Sequence, residues 1–201
     1  VKWRERGKGE LIIEEFMLMA NQSAATLGRM KEIPFVYRIH EDPSPEKVLN
    51  LKETLLKMGI VVPDFTEIKP THLARILEKS KNTPSFVVVN KLVLRSMAKA
   101  KYSPEPKGHF GLVLDDYAHF TSPIRRYPDL SIHRILSDLV SGVPEKMIKK
   151  RYAAFASDSS THSSQREITA MIVERDCEDC YKAEYMKNHI GESFEGMISG
   201  V

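Results

Sequence analysis

Hydroxyls and guanidinium groups crowd one short stretch of this chain, Thr121-Ser122-Pro123-Ile124-Arg125-Arg126, and together they suit an anion. Ser122 is a favourable N-cap residue and Pro123 fits the first position of a helix. A helix starting there would present free backbone N–H groups and the positive end of its dipole. Phosphate binds well at such an end. Arg125 and Arg126 would then lie in the first turn, and a guanidinium offers phosphate two parallel, charge-assisted hydrogen bonds. Tyr117, His119, Phe120 and Tyr127 add flat rings on which nucleobases could stack. The plainer alternative is a helix start with a solvated arginine pair above core aromatics. It is the stronger reading for each residue alone, and only the clustering argues against it. Glu14 and Asn21, two helical turns apart, form a second polar pair, which suits either a ribose hydroxyl or a solvated helix face.

The run HFTSPIRRYPDLSIHR (119–134) closely resembles the signature of the ribonuclease II/ribonuclease R exoribonucleases. HFG (109–111) and RSMAKAKYSPE (95–105) are similar to the bacterial ribonuclease R branch of that family. IIEEFMLMANQSAA (12–25) resembles the family's upstream helix, and VERDCEDCYKAEYM (173–186) the helix that closes its catalytic domain, so the resemblance covers essentially the whole chain. It implies an α+β fold: the mostly helical C-terminal half of an RNB-type catalytic domain, with a few short strands, over residues 1–190. Residues 191–201 would open a following OB-fold RNA-binding domain with its first strand.

Members of that family hydrolyse RNA processively from the 3′ end to nucleoside 5′-monophosphates, with magnesium held by an aspartate cluster near the start of the catalytic domain. Carried to this sequence, the resemblance makes Arg125 the catalytic guanidinium and puts Glu14 beside the sugar of bound RNA. It sets Glu174 near the nucleotide-binding end of the channel, and Ser122, Arg126 and Tyr127 among the RNA contacts. The implied partners are single-stranded RNA and RNA with 3′ overhangs. The aspartate cluster has no counterpart here, and metal-assisted phosphodiester hydrolysis needs such carboxylates. The expected role is therefore phosphate positioning within a larger enzyme that supplies the magnesium ligands, this part alone being inactive. A non-catalytic RNA-binding module of the same fold is the competing expectation.

Several elements must position these groups. Leu11 to about Met30 has helical periodicity, with Ile12, Phe16, Met19, Ser23 or Ala24, Leu27 and Met30 on one face and Glu14, Leu18 and Asn21 on another. Phe35 to His40 reads as a strand. A helix is predicted from Ser44 and Pro45 to Gly59, with Val48, Leu51, Leu55 and Met58 in period, and another over about 71–81. Val87–Val89 favour a strand and Leu94–Ala100 a helix, and the resemblance tips the whole segment 85–100 to helix. Tyr102 to Gly108 reads as a loop, leading to a strand at Phe110–Leu114 and then the central motif. Pro128 predicts a kink, or a short turn followed by a new helix start. Beyond it lie a helix over 130–140, another from Pro144 to about Ala156, and a break at SDSSTHSS (157–164). SQRE (164–167) is a capping box for a last helix ending at Gly191.

Composition excludes little beyond the extremes. In 201 residues the net charge of +3 does not by itself indicate nucleic acid, and 28% charged with 42% hydrophobic residues is ordinary for a globular chain. The sequence has no run of membrane-spanning length and opens on no signal peptide, so the default location is cytoplasmic. Cys177 and Cys180 have the spacing of half a zinc site, but inside a predicted helix and without a second Cys/His pair nearby. Asp115 and Asp116 read as a turn with solvated charges. No histidines have metal-site spacing.

Overall fold

The apolar stretch near the start folds as helix α1, Lys8–Met30, in a computed structural model that describes residues 6–62 and 68–196. Its start is closed by Glu10, whose carboxylate accepts from the Gly7 N–H at 2.9 Å. The charged stretch before Leu11 is therefore helical from Lys8. The buried face of α1 is not the one its large apolar residues mark. Asn21, Ala24, Ala25 and Gly28 are buried, whereas Ile12, Phe16, Met19 and Met30 are exposed. Close approach decides this, because a Cβ at Gly28 would fall 2.7 Å from the fully buried ring of Phe35. Only small residues let the helix lie that near.

The described chain divides into two compact units. The first, the chain through Glu41 with Lys99–Ser164, holds α1 and a two-stranded antiparallel sheet. Strand β1 (Tyr37–Ile39) pairs with β2 (Lys101–Ser103) in the register Tyr37↔Ser103, Arg38↔Tyr102 and Ile39↔Lys101. Strand β2 falls where a loop is predicted. Its backbone finds partners on both sides, since Tyr102 N also donates to Ser164 Oγ at 2.9 Å. The core beneath holds Phe35, Val36 and Ile39 with Ala118, Ile132, Ile135 and Ile148, all essentially inaccessible. Each of the larger side chains among these, Ala118 excepted, contributes roughly 1.5–3 kcal/mol by leaving water.

Phe110–Leu114 is not a strand. Phe110–Leu112 forms a 3-10 turn, His109 Nδ1 accepts from Leu112 N at 3.2 Å, and Val113 takes a left-handed conformation with φ 58°. Gly111 allows the turn to press on His40, whose Nδ1 would lie 2.9 Å from a Cβ there. The apolar run predicts burial of Phe110 correctly but not the backbone that achieves it.

The remaining elements of this unit are α5 (Tyr127–Val140), stopped at Gly142 with φ 80°, and the first part of α6 (Glu145–Met186). Helix α6 runs 42 residues without the break predicted at SDSSTHSS. Its hydroxyls bond back along the helix instead of diverting the backbone: Ser160 Oγ donates to Ala156 O at 2.7 Å and Ser164 Oγ to Ser160 O at 2.8 Å. Ser159 meets Ser131 of α5 at 2.9 Å, both buried. The serines form a narrow packing face, and burial there outweighs their weak helix propensity.

In the second unit, α2 (Pro45–Lys57), α3 (Pro70–Ser80) and α4 (Phe86–Ser96) enclose Leu51, Leu55, Leu73, Ile76, Val89 and Val93. Ser44 caps α2 through Lys47 N and Gly59 ends it at φ 75°, as the sequence predicts. This unit also takes the part of α6 beyond Ser164, which ends at Met186, before a 3-10 turn at Lys187–His189 and Gly191 at φ 90°. Residues 192–196 have no regular structure, and the rest of the expected OB-fold strand, 197–201, lies outside the described residues. The whole is α+β, mostly helical with one two-stranded sheet.

Candidate functional site

The segment Tyr117–Arg126 is irregular, so its backbone polar groups need partners from elsewhere. They find them in side chains. Asn21, buried on α1, accepts at Oδ1 from Phe120 N (2.9 Å) and Thr121 N (3.2 Å), and its Nδ2 donates to Tyr117 Oη at 3.2 Å. His133 of α5 donates from Nε2 to Phe120 O at 2.9 Å and stacks on the Phe120 ring, 4.3 Å between centroids. Arg38 N donates to Tyr117 O at 2.9 Å, tying the segment to β1. Asp129, with no exposed surface, accepts at Oδ1 from Ser122 N at 2.8 Å. Three elements thus hold a ten-residue loop.

Ser122 starts a single turn rather than α5. Its carbonyl accepts from Arg125 N (3.3 Å) and Arg126 N (3.1 Å), the chain extends at Arg126 (φ −129°, ψ 118°), and α5 begins at Tyr127 with Pro128 in its first turn. Pro128 has no N–H for a helix continuing from Pro123 but is tolerated in a first turn, so the helix restarts. The anion site expected from Ser122 as a helix N-cap is corrected accordingly. The first turn of α5 contains a buried carboxylate, Asp129, where an anion would have to sit.

The turn opens on a cleft of about 260 Å³ walled by Glu14, Asn21, Thr121, Ser122, Arg125 and Arg126, with Met17, Leu18 and Tyr117 completing it. The two arginines differ sharply. Arg126 is only 24% exposed at its side chain, and its Nη2 donates to Asp129 Oδ1 at 2.8 Å. Arg125 is exposed and has no ion-pair or hydrogen-bond partner for its guanidinium among the described residues. Glu14 is met by Arg6, whose Nε donates to Oε1 at 3.0 Å, with a second contact from Arg6 Nη2 to Oε2. Tyr127 is 46% exposed beside this turn in sequence, although it is not among the cleft's walls.

Behind the cleft lies a chain of rings, Tyr102–His119–Tyr117–His109–His40–Phe110, with neighbouring centroids 5.1–5.9 Å apart. Burial, reinforced by the nearby Arg126 charge, pushes His119 down to about 3, and burial with the neighbouring His40 pushes His109 down to about 4. Both rings are neutral at ordinary pH, and His119 Nδ1 sits 3.0 Å from Tyr102 Oη. The rings expected to stack on bases are thus divided. Tyr117 reaches the cleft, while His119 and Phe120 are held by Tyr102 and His133.

The sequence matches the RNB domain family over residues 1–142. This chain belongs to that family. Ribonuclease R of Aquifex aeolicus is 43% identical over 197 residues, covering 98% of this chain and 28% of that protein, and ribonuclease R of Thermotoga maritima is 40% identical, covering 98% and 28%. The structure of Mycoplasma genitalium RNase R in complex with ribose-methylated single-stranded RNA superposes with a TM-score of 0.89 at 31% identity, covering 98% of this chain and 31% of that one. The chain therefore spans less than a third of the length of these relatives.

Within this RNB-family chain, the loop joins some of the sequence-predicted residues and leaves others apart. Glu14, Ser122, Arg125 and Arg126 share the cleft. Glu174 does not wall it, and lies exposed on the distal part of α6, in the other unit. Asp116 is not a solvated turn residue as expected. It is buried and accepts from Arg29 Nε at 2.7 Å and Thr26 Oγ1 at 3.2 Å, fastening the 115–117 corner to α1, while Asp115 is exposed. Among the described residues no three His, Cys, Asp or Glu gather as a metal-binding set. Asp116 and Asp129 are paired with Arg29 and Arg126, which leaves Glu14 as the one carboxylate among the cleft's walls, so the groups present do not fit a magnesium ion. Cys177 and Cys180 are free and exposed on α6. No described helix is long and apolar enough to cross a membrane. Sequence reasoning missed Asp129 and His133 altogether. The acid three residues after Arg126, at the start of a helix, was the signal for Asp129.

Proposed function

We propose that this chain is the phosphate-positioning part of a processive, magnesium-dependent 3′-to-5′ exoribonuclease that releases nucleoside 5′-monophosphates. The observation that carries the reading is the contrast within the cleft: Arg125 has no counter-charge among the described residues, whereas Arg126 beside it is paired with a buried carboxylate. A guanidinium at a cleft mouth without a protein anion is suited to an anion brought by the substrate. RNA is that substrate on the strength of the family and of relatives named ribonuclease R, one of them solved with single-stranded RNA. Glu14 serves the ribose, Ser122 and Tyr127 flank the bound strand, and Glu174 acts towards the nucleotide-binding end of the channel. The magnesium of such an enzyme is held by carboxylates other than those described here, and RNA with a single-stranded 3′ overhang is a substrate along with unpaired strands. The setting is the cytoplasm.

The scissile phosphate gains negative charge in the transition state, so a donor aimed at it acts on rate more than on binding. A threaded RNA makes many phosphate contacts, and losing one changes affinity modestly. In the complete enzyme, Arg125→Ala therefore cuts single-turnover degradation of a labelled RNA by about two to three orders of magnitude, while affinity at fixed salt falls far less. Arg125→Lys recovers little, because an ammonium keeps the charge but not the planar fork. An equal loss in binding and turnover would make Arg125 one more phosphate contact and end the catalytic assignment.

A further inference from the structure

The Arg126–Asp129 pair is poorly built for stability. Asp129 has no exposed surface, yet only its Oδ1 is used, by Ser122 N and Arg126 Nη2. Its Oδ2 and the buried Nε of Arg126 have no hydrogen-bond partner among the described residues. A buried pair whose remaining polar atoms are unsatisfied is commonly no better for stability than apolar residues of the same size. What the pair does accomplish is geometric. One carboxylate oxygen holds the backbone at Ser122, where the turn begins, and the guanidinium at Arg126, where it ends. The exposed Arg125 is carried between those two points.

From this we infer that Asp129 is a positioning residue that withdraws Arg126 from the phosphate chain and fixes the turn that aims Arg125. The inference rests on the proposed role of this turn in RNA hydrolysis. Two neighbouring guanidiniums could otherwise share one phosphate, and the ion pair leaves Arg125 as the one available. Arg126 still walls the cleft, but its charge is largely balanced where it stands. The carboxylate is therefore needed for the aim of Arg125 without touching substrate.

Salt dependence reads this directly, since each phosphate contact on a single strand contributes about 0.7 to the slope of log affinity against log salt. In the complete enzyme, Asp129→Asn keeps an oxygen for Ser122 N but frees Arg126. RNA binding should tighten at low salt and its slope steepen by about 0.7, while single-turnover degradation slows by one to two orders of magnitude, roughly the effect of a small misplacement. Arg126→Gln should leave the slope at the parent value although turnover falls, and the double variant Arg126→Gln/Asp129→Asn should return the slope to the parent value. A purely structural role predicts weaker binding in Asp129→Asn with no steepening. The inference is overturned if Asp129→Asn leaves the slope unchanged, or if Arg126→Gln alone flattens it by about 0.7, which would show that Arg126 already contacts phosphate. Should Asp129→Asn fail to fold, Arg126→Gln decides alone. The slopes test this inference, and Arg125→Ala independently tests the catalytic reading on which it rests.

Discussion

Glu14 faces two candidate partners at once. Its carboxylate is engaged by Arg6, yet Arg6 is 61% exposed at its side chain and Glu14 35%, and ion pairs of that exposure contribute only about 0–1 kcal/mol. A ribose 2′-hydroxyl entering the cleft can displace Arg6 at little cost. If Glu14 accepts that hydroxyl, Glu14→Ala in the complete enzyme weakens discrimination of RNA against DNA, measured as the ratio of affinities for matched strands. Equal ratios in mutant and parent would remove Glu14 from the site. At this scale the sequence made the ends of the site legible and hid its support. Arg125, Ser122 and Glu14 stand out by type and motif, and the cleft contains them. Asn21 stood out as well, but as a ribose ligand, whereas both ends of its carboxamide are taken by the loop. Asp116 looks like an ordinary surface acid in the sequence because its partner is a cation 87 residues away, whereas Asp129 had a local signal in Arg126 three residues before it, and what the sequence hid is its burial and its bond to the Ser122 N–H.

Helices with large apolar residues in period were predictable to within a residue or two, as α2, capped by Ser44, and α3 show, because local chemistry and burial agree in them. The predictions failed where small residues do the packing. In α1 the large apolar residues of the marked face are exposed, and only its small Ala24 is buried, beside Ala25 and Gly28. In α6 a run of serines signalled a break, and burial turned it into the contact surface for α5 and β2. One member of that surface is not satisfied: Ser163 is buried and its Oγ has no partner among the described residues. Removing an orphaned buried hydroxyl from a helix relieves its desolvation and improves propensity, and the cavity left by one oxygen is small. Ser163→Ala should therefore raise stability by ~1 kcal/mol, read as a higher urea midpoint at unchanged slope. A lower midpoint would show that the hydroxyl has a partner the fold needs.

On the scale of the molecule, the ring chain behind the cleft makes the fold of the first unit depend on histidines staying neutral. An unfolded histidine titrates near 6.5, whereas His119 is pushed down to about 3 and His109 to about 4, chiefly by burial. Between those values and 6.5 the unfolded chain binds protons that the folded chain does not. Stability is therefore fully present above about pH 6.5 and is lost as pH falls from there towards 4 and 3. Ordinary carboxylates protonate near 4, so the interval from pH 6.5 to 5 isolates the histidines. In that interval His119 and His109 contribute nearly equal slopes, each at most ~1.4 kcal/mol per pH unit, and the His119 contribution persists to lower pH. His119 Nδ1 meets Tyr102 Oη, and its ring lies edge-on to Tyr117, which in turn holds Asn21 and lines the cleft. Protonating it thus loosens the support of the Arg125 turn along with the core. Urea midpoints taken from pH 7 to 5 should fall in the parent and fall roughly half as far in His119→Gln, which keeps a polar side chain near Tyr102 but cannot take up the proton, the remainder coming from His109. Identical pH dependence in the two proteins would show that the ring is solvated enough to titrate normally, and the neutral ring chain would lose its place as the support of the site.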